Sequence, residues 1–380
     1  MSRIAYVSAD RHIHLVEPDG QTSGLTAAAD QLIWASWGSA GQIRQAHTWP
    51  TFSPGGERIA CFRLREGGHA SVLVSSLDGV TSAEVIDLPD QVPIYLAWSA
   101  DGERIACVTQ SGEDLLLTVG RAAAVGSQRI LAKGSPLFFT WTQDGRLGTF
   151  IGGGSINARM MLMDPDLRKP TEVLPLTPGD FCAPVAAGDS LVYSVHERGR
   201  AKILVIPPDG PPTEVPGGEG LLAFVASRDG RFLARACAPG GDGTPYQSLS
   251  VIDLEKGTER RITDMSCLAF MWVPDGSGLV VARVDTERSV IEWFFVDVHG
   301  TARHIADLLP TRDLRFYLRF FEQYGHSHPL IDPDSRYILL AGALRGKGQH
   351  SRIWRIPLHG GAAEDIAEGQ FATFGPPIAH

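Results

Sequence analysis

The 380-residue sequence predicts an all-β protein, an eight-bladed β-propeller of four-stranded antiparallel blades. Three observations predict it. A hydrophobic or aromatic anchor followed by a Ser-Pro-Asp-Gly-like turn recurs eight times, at intervals of 41 to 59 residues. The first seven of these turns lead into a short apolar run, and a second hairpin pattern accompanies the units. The final copy stops after one strand, while the N-terminus begins with a second-strand pattern, so the two ends complete one blade.

The anchors read Phe52-Ser-Pro-Gly-Gly, Trp98-Ser-Ala-Asp-Gly, Trp141-Thr-Gln-Asp-Gly, Val185-Ala-Ala-Gly-Asp, Ala226-Ser-Arg-Asp-Gly, Trp272-Val-Pro-Asp-Gly, Ile331-Asp-Pro-Asp-Ser and Phe374-Gly-Pro-Pro. Asp-Gly between two apolar runs is a hairpin signal, because glycine accepts the positive φ the turn demands. Second strands such as Arg58-Ile-Ala-Cys, Arg104-Ile-Ala-Cys and Tyr337-Ile-Leu-Leu suit half-buried strands. Third and fourth strands flank a further turn, as in Val72-Leu-Val-Ser-Ser-Leu-Asp-Gly and Ile353-Trp-Arg-Ile-Pro-Leu-His-Gly. The expected organisation is a single propeller domain over residues 1–380. One blade is shared by 1–28 and 369–380, which removes exposed sheet edges, and an insertion lies at about 308–325.

Composition fits one body with many tight turns: 42 glycines and 25 prolines, with apolar surface buried between neighbouring blades. No apolar stretch reaches membrane-helix length, so no membrane insertion is expected. Met1-Ser-Arg-Ile-Ala-Tyr runs directly into a strand pattern, from which a cytoplasmic location is expected. The five cysteines are an odd number without Cys-x-x-Cys spacing, which points to buried free thiols and away from a zinc site. A net charge of −9 argues against nucleic acid as a partner.

The Trp-Ser-Pro-Asp-Gly-like turn with its Arg-Ile-Ala-type strand resembles the TolB-like (PD40, WD40-like) propeller repeat over essentially the whole chain. The same repeat builds the propellers of the dipeptidyl-peptidase and prolyl-oligopeptidase families, where it gates a hydrolase domain. Phe320-Phe-Glu-Gln-Tyr-Gly-His-Ser-His, leading into Asp332, is similar to a stretch in bacterial TolB-like proteins. The hydrolase's Gly-x-Ser-x-Gly elbow does not occur here. Gly188-Asp-Ser-Leu resembles the serine motif of another esterase family, but it sits in a repeat turn where Gly and Asp are expected anyway.

Candidate binding residues come from comparing first strands. The position three before each anchor reads Trp49, Tyr95, Phe138, Cys182, Ala223, Ala269, His328 and Phe371, aromatic along one arc and small along the other. This asymmetry points to an off-axis pocket for a planar or partly apolar ligand, with packing between blades as the competing reading. The insertion brings Arg315, Arg319 and Tyr324, which would cover the aromatic arc and offer a guanidinium to an anionic group; a structural flap with solvated arginines is the alternative. His326 and His328 lie two apart on a predicted strand, and His47 begins another first strand. Their scatter suits rim histidines better than a metal site, and no cofactor is expected. Two functions remain open: a recognition propeller binding a small molecule, peptide or partner protein at the channel mouth, or a stand-alone lyase- or hydrolase-type enzyme with converging acid-base residues.

Overall fold

The computed structural model describes all residues except 1, 27–44, 153–157, 175, 177, 179–182, 198–199, 241–243 and 379–380. The chain opens with β1 (Ile4–Ser8), β2 (Ile13–Val16) and β3 (Thr22–Gly24). A four-stranded sheet follows, made of β4 (Gln45–Phe52), β5 (Arg58–Arg65), β6 (Ala70–Ser76) and β7 (Ser82–Leu88). The next comprises β8 (Val92–Trp98), β9 (Arg104–Ser111), β10 (Asp114–Arg121) and β11 (Arg129–Gly134). Three more four-strand sets run in sequence: β12 (Leu137–Trp141), β13 (Leu147–Ile151), β14 (Arg159–Met163) and β15 (Glu172–Val173); β16 (Val185–Ala187), β17 (Ser190–Glu197), β18 (Arg200–Ile206) and β19 (Thr213–Gly218); β20 (Leu221–Ala226), β21 (Phe232–Ala238), β22 (Gln247–Asp253) and β23 (Thr258–Thr263). Then come β24 (Ala269–Trp272), β25 (Gly278–Asp285), β26 (Val290–Asp297) and β27 (Ala302–Pro310), the helices α1 (Arg312–Arg319) and α2 (Phe321–Tyr324), and finally β28 (Tyr337–Leu344), β29 (Arg352–Pro357) and β30 (Glu364–Phe374).

The turn motif is built by its own side chains. Ser99 Oγ donates to Asp101 at 2.5 Å, and the same Asp101 carboxylate accepts the Glu103 amide at 2.9 Å. Ser227 and Asp229 repeat this, and the Ser227 hydroxyl holds the Asp229 carboxyl below the usual range. The motif therefore recurs because a short polar residue two before an Asp closes the turn without any help from the core. The anchor tryptophans act between sheets: Trp98 Nε1 donates to the Thr51 carbonyl at 3.1 Å, and Trp272 Nε1 to that of Val225 at 3.0 Å. Each ties its strand to the corresponding strand of the preceding repeat.

The chain divides into two compact units. One comprises Met1–Ala132, Leu308–Phe316 and His326–His380, the other Lys133–Asp307 and Tyr317–Gly325. In the first unit the ends of the chain meet as expected: β1 pairs antiparallel with β30, Ile4 opposite Phe374 and Val7 opposite Phe371. Strand β30 serves two partners, since Glu364–Glu368 pairs with β29 and Gly369–Phe374 with β1. At the changeover Gly369 lies so close to the Val7 carbonyl that a Cβ would sit 2.7 Å from it.

Two features depart from the expected four discrete strands per repeat. The end of β27, Leu308–Pro310, pairs with Gly342–Leu344 of β28, so the ladder continues from one repeat into the next. Gly342 permits this, because a Cβ there would lie 2.2 Å from the Leu309 carbonyl. The first strand expected before the Ile331 anchor shrinks to one bridge, Ile331 to Ile338. The chain reaches that point directly from α2, and Pro329 has no amide to donate to a ladder. His326 and His328 consequently sit in a turn and a bend, not on a strand.

Candidate functional site

The insertion expected at about 308–325 is helical, and its sequence explains why. On α1, Leu314, Tyr317 and Leu318 are buried while Arg312, Arg315 and Arg319 are exposed, an apolar stripe opposite a basic one at helical spacing. Thr311 begins the helix, its hydroxyl accepting the Leu314 amide at 3.1 Å.

The first unit holds the N-terminal part of the insertion. Asp313 forms an ion pair with Arg11 at 2.6 Å, with the two side chains only 12% and 11% exposed. Burial raises the Asp313 pKa against the pull of Arg11. Phe316 packs on Trp49 with ring centroids 5.9 Å apart. Trp49 belongs to a cluster with Phe371 at 4.9 Å and His328 at 5.7 Å, and Tyr95 lies 6.2 Å from His328. Four residues of the aromatic column are thus brought together, and Phe316 adds a fifth ring.

Strict alternation did not aim these side chains. Strand β4 carries a bulge between Thr48 and Thr51, and Trp49 takes a φ of +55° there. Strand β8 shifts register between Pro93 and Tyr95, and β1 against β30 between Val7 and Ser8. The bulges fall beside Trp49, Tyr95 and Phe371 and re-aim each of them.

His328 is fully buried within this cluster. Its Nε2 lies 3.3 Å from the Trp49 carbonyl and its Nδ1 2.7 Å from Ser327 Oγ, so hydrogen-bond complementarity assigns the neutral ring with the proton on Nε2. Burial pushes its pKa down to about 3, against the opposing pull of the Trp49 carbonyl. His47 is also fully buried, 5.7 Å from the His12 ring, and burial followed by the charges of His12 and Arg63 brings it to about 3. His326 is exposed. No group of three His, Cys, Asp or Glu side chains arranged to hold a metal occurs among the described residues. A cleft of about 390 Å³ lies at a different place in this unit, lined by Arg3, Phe52, Glu57, Asp78 and Pro376 among others, and contains none of the expected binding residues.

The second unit holds the rest of the insertion, and there α2 reads strand backbone directly. Gln323 Oε1 accepts the Phe139 amide at 3.2 Å, and its Nε2 donates to the Phe139 carbonyl at 2.5 Å. One side-chain amide thereby serves the edge of β12 as a neighbouring strand would. Glu322 Oε1 accepts the Phe224 amide of β20 at 3.0 Å. Phe321 packs tilted on Phe270 of β24, ring centroids 4.9 Å apart, and Tyr317 donates its hydroxyl to Met271 Sδ at 3.6 Å. Tyr324 is buried, 5.7 Å from Tyr317, and Arg319 lies 5.7 Å above the Phe320 ring. Phe138, expected to join the aromatic column, sits between Phe150 at 6.1 Å and Phe320 at 6.5 Å.

Glu322 is the group the sequence reading missed. The side chain is half-buried, and burial of its carboxyl pushes the pKa up to about 8 against the opposing hydrogen bond from Phe224. A lone Glu in a Phe-Phe-Glu-Gln-Tyr run offered one signal: a carboxylate flanked by large apolar residues. Cys182, the fourth member of the column, lies outside the described residues.

No protein-family model matches the sequence, and no curated protein matches it. Solved structures do. A eukaryotic initiation factor aligns over all of both chains with 13% identity and a TM-score of 0.55. The β-propeller domain of the Trilobed protease from Pyrococcus furiosus, described as having an open velcro topology, covers 86% of this chain and 99% of its own, with 12% identity and a TM-score of 0.52. A prolyl endopeptidase covers 88% of this chain but 51% of its own, with 12% identity and a TM-score of 0.53. The chain thus spans about half the length of the peptidase it matches. These likenesses establish the fold: the chain is a multi-bladed β-propeller of antiparallel sheets.

Proposed function

We propose that the protein is a recognition propeller that engages an anionic partner, a carboxylate-rich peptide or protein segment, through the outward face of α1. The observation that carries this reading is the two-sided helix: Leu314, Tyr317 and Leu318 are sunk, while Arg312, Arg315 and Arg319 face out from a chain whose net charge is −9. Guanidinium groups at that spacing match carboxylates through paired hydrogen bonds, and an anchored helix presents them with little further ordering cost. Peptide-handling enzymes among the fold neighbours are compatible with such a role.

The test is fluorescence anisotropy with a labelled glutamate-rich peptide. The pair Arg315→Glu and Arg319→Glu is expected to weaken binding at least about tenfold, and binding by the unaltered protein to fall steeply between about 50 and 200 mM salt. Unchanged affinity on charge reversal overturns the reading. The alternative, catalysis of lyase or hydrolase type, finds one specific support in the raised pKa of Glu322, which suits a general acid. The strands that α2 packs against, β12, β20 and β24, supply no second titratable group to act with it.

A further inference from the structure

The cleft of the first unit opens where the repeat departs from its own turn chemistry. In the turns after Trp98, Trp141, Ala226 and Trp272 an Asp stands three residues past the anchor and accepts the amide two residues on. The pairs are Asp101 with Glu103 at 2.9 Å, Asp144 with Arg146 at 3.3 Å, Asp229 with Arg231 at 3.1 Å and Asp275 with Ser277 at 2.9 Å. Each of those carboxylates is engaged inside its own turn. The turns after Phe52 and Phe374 carry Gly55 and Pro377 at that position, and both residues line the cleft. Two turns that lack the Asp thus border one opening of about 390 Å³, within the size range of ligand pockets. The turns meet closely: a Cβ on Gly56 would lie 3.0 Å from Pro376 Cγ, and the Gly375 amide donates to the Arg3 carbonyl at 2.8 Å.

A different carboxylate stands at the Phe52 turn, and the turn makes no use of it. Glu57 folds back over Gly55, where a Cβ would collide with the carboxyl, yet its side chain makes no hydrogen bond or ion pair among the described residues. The Leu77 amide donates to the Glu57 carbonyl at 3.3 Å, which joins the turn after β6 to the same wall. There Asp78 Oδ1 accepts the Ser76 hydroxyl at 2.5 Å and the Val80 amide at 3.0 Å, and these bonds hold its carboxyl below the usual range. Its Oδ2 accepts nothing among the described residues. The neighbouring cations are engaged elsewhere: Arg3, which lines the cleft, pairs with Glu17 at 2.9 Å, and Arg58 donates to the Gly102 carbonyl at 2.8 Å and lies over the Trp98 ring. Phe52, Leu77, Pro376 and Ile378 supply apolar walls.

We infer that this cleft receives an arginine side chain of a polypeptide partner, its alkyl stem against Leu77 and Pro376 and its guanidinium paired with the Glu57 and Asp78 carboxylates. An arginine lays its methylenes on apolar surface while its charged head stays near water, and its planar fork matches carboxylate oxygens in pairs. Glu57 and Asp78 are exposed, and exposed ion pairs contribute little singly, so a free guanidinium compound gains too little to stay bound. A polypeptide adds contacts at the rim, where Pro377 is exposed and Val80, bonded to Asp78, is 79% exposed. The site is opposite in charge to the arginine face of α1 and goes beyond the function proposed for that face.

The experiment uses the full chain and a labelled Ser-Leu-Arg-Leu-Ser peptide as the probe, with citrulline in place of its arginine as the neutral counterpart and n-butylguanidine as the side chain alone. Binding is followed by fluorescence anisotropy, by competition for the unlabelled compound, and its place by amide chemical shifts. Saturable binding of the arginine peptide is expected, with shifts at the Gly55 and Leu77 amides. The citrulline peptide and n-butylguanidine should each bind at least about tenfold more weakly. Glu57→Gln is expected to weaken the arginine peptide about threefold, the pair Glu57→Gln with Asp78→Asn about tenfold, and Leu77→Ala about threefold. Equal binding of the citrulline peptide, unchanged affinity in the double variant, or shifts that leave Gly55 and Leu77 unmoved overturn the proposal. Binding of n-butylguanidine as tightly as the peptide also overturns it, assigning the cleft to a free small cation. Should the double variant fail to fold, the shift map and the citrulline comparison on the unaltered protein decide. The probe here is cationic and the one for α1 is glutamate-rich, so either reading can fail while the other stands.

Discussion

His328 in the first unit and Glu322 in the second are both titratable side chains held against strand backbone, and burial drives both toward the uncharged form. They differ in what is left over. His328 has a partner at each ring nitrogen and aromatic rings around it, so its chemistry is used up in holding Ser327 to β4. Glu322 has one oxygen bound to Phe224 and one with no described acceptor role. Burial alone therefore does not mark a functional group. What distinguishes the two is unspent hydrogen-bonding and charge capacity, which His328 lacks and the Glu322 carboxyl keeps.

The sharpest way to test that contrast is to make a partnered group unpartnered. Asp313→Ala removes the carboxylate paired with the largely buried Arg11 and is expected to cost about 3–5 kcal/mol in urea unfolding, while the apolar double exchange Asp313→Leu with Arg11→Met recovers most of it. A loss below about 1 kcal/mol for the single change means the pair is not sealed. Next in size is Gln323→Leu, which removes both side-chain hydrogen bonds to the Phe139 backbone and is expected to cost about 2 kcal/mol. Hydrogen exchange at the Phe139 amide should accelerate in that variant and leave the first unit's protection unchanged.

The two regions should also answer pH with opposite sign. The Glu322 carboxyl titrates near 8 when folded and near its ordinary 4.5 when unfolded, so its stabilisation is complete below 4.5 and disappears as pH rises toward 8. His328 and His47 titrate near 3 when folded and near 6.5 when unfolded, so their contribution is intact above 6.5 and disappears as pH falls toward 3. Urea midpoints measured across that range should decline on both flanks. Glu322→Gln is expected to flatten the alkaline decline alone, and His328→Gln to reduce the acid one alone; flattening of the wrong flank breaks the comparison. The smallest effect belongs to Arg315→Glu with Arg319→Glu, whose exposed side chains should change stability by no more than about 0.5 kcal/mol while altering binding.

Much of the architecture was legible because the repeat is written in local chemistry. Ser99 and Asp101 close their turn with neighbours two residues away, so the motif marks a hairpin wherever it occurs. The meeting of β1 with β30 was legible for a similar reason, each end carrying the strand pattern the other lacks. The aromatic column was readable as a set, and Trp49, Tyr95, His328 and Phe371 do come together, but Phe138 belongs to a different group of rings. Residues after α2 were misread as strand because His326 and His328 alternate as strand residues do, while the helix before them and Pro329 after them deny that segment a ladder.

Turn chemistry, strand period and the complementary ends are properties of residues close together along the chain, and these the amino-acid order determined by itself. Which polar groups find a partner is a property of segments far apart: Arg11 with Asp313, Gln323 with Phe139, Glu322 with Phe224. Charge left uncompensated depends on what every surrounding segment fails to supply. Only the tertiary structure, by bringing apolar strands up to a single carboxyl, decided that Glu322 would be that group.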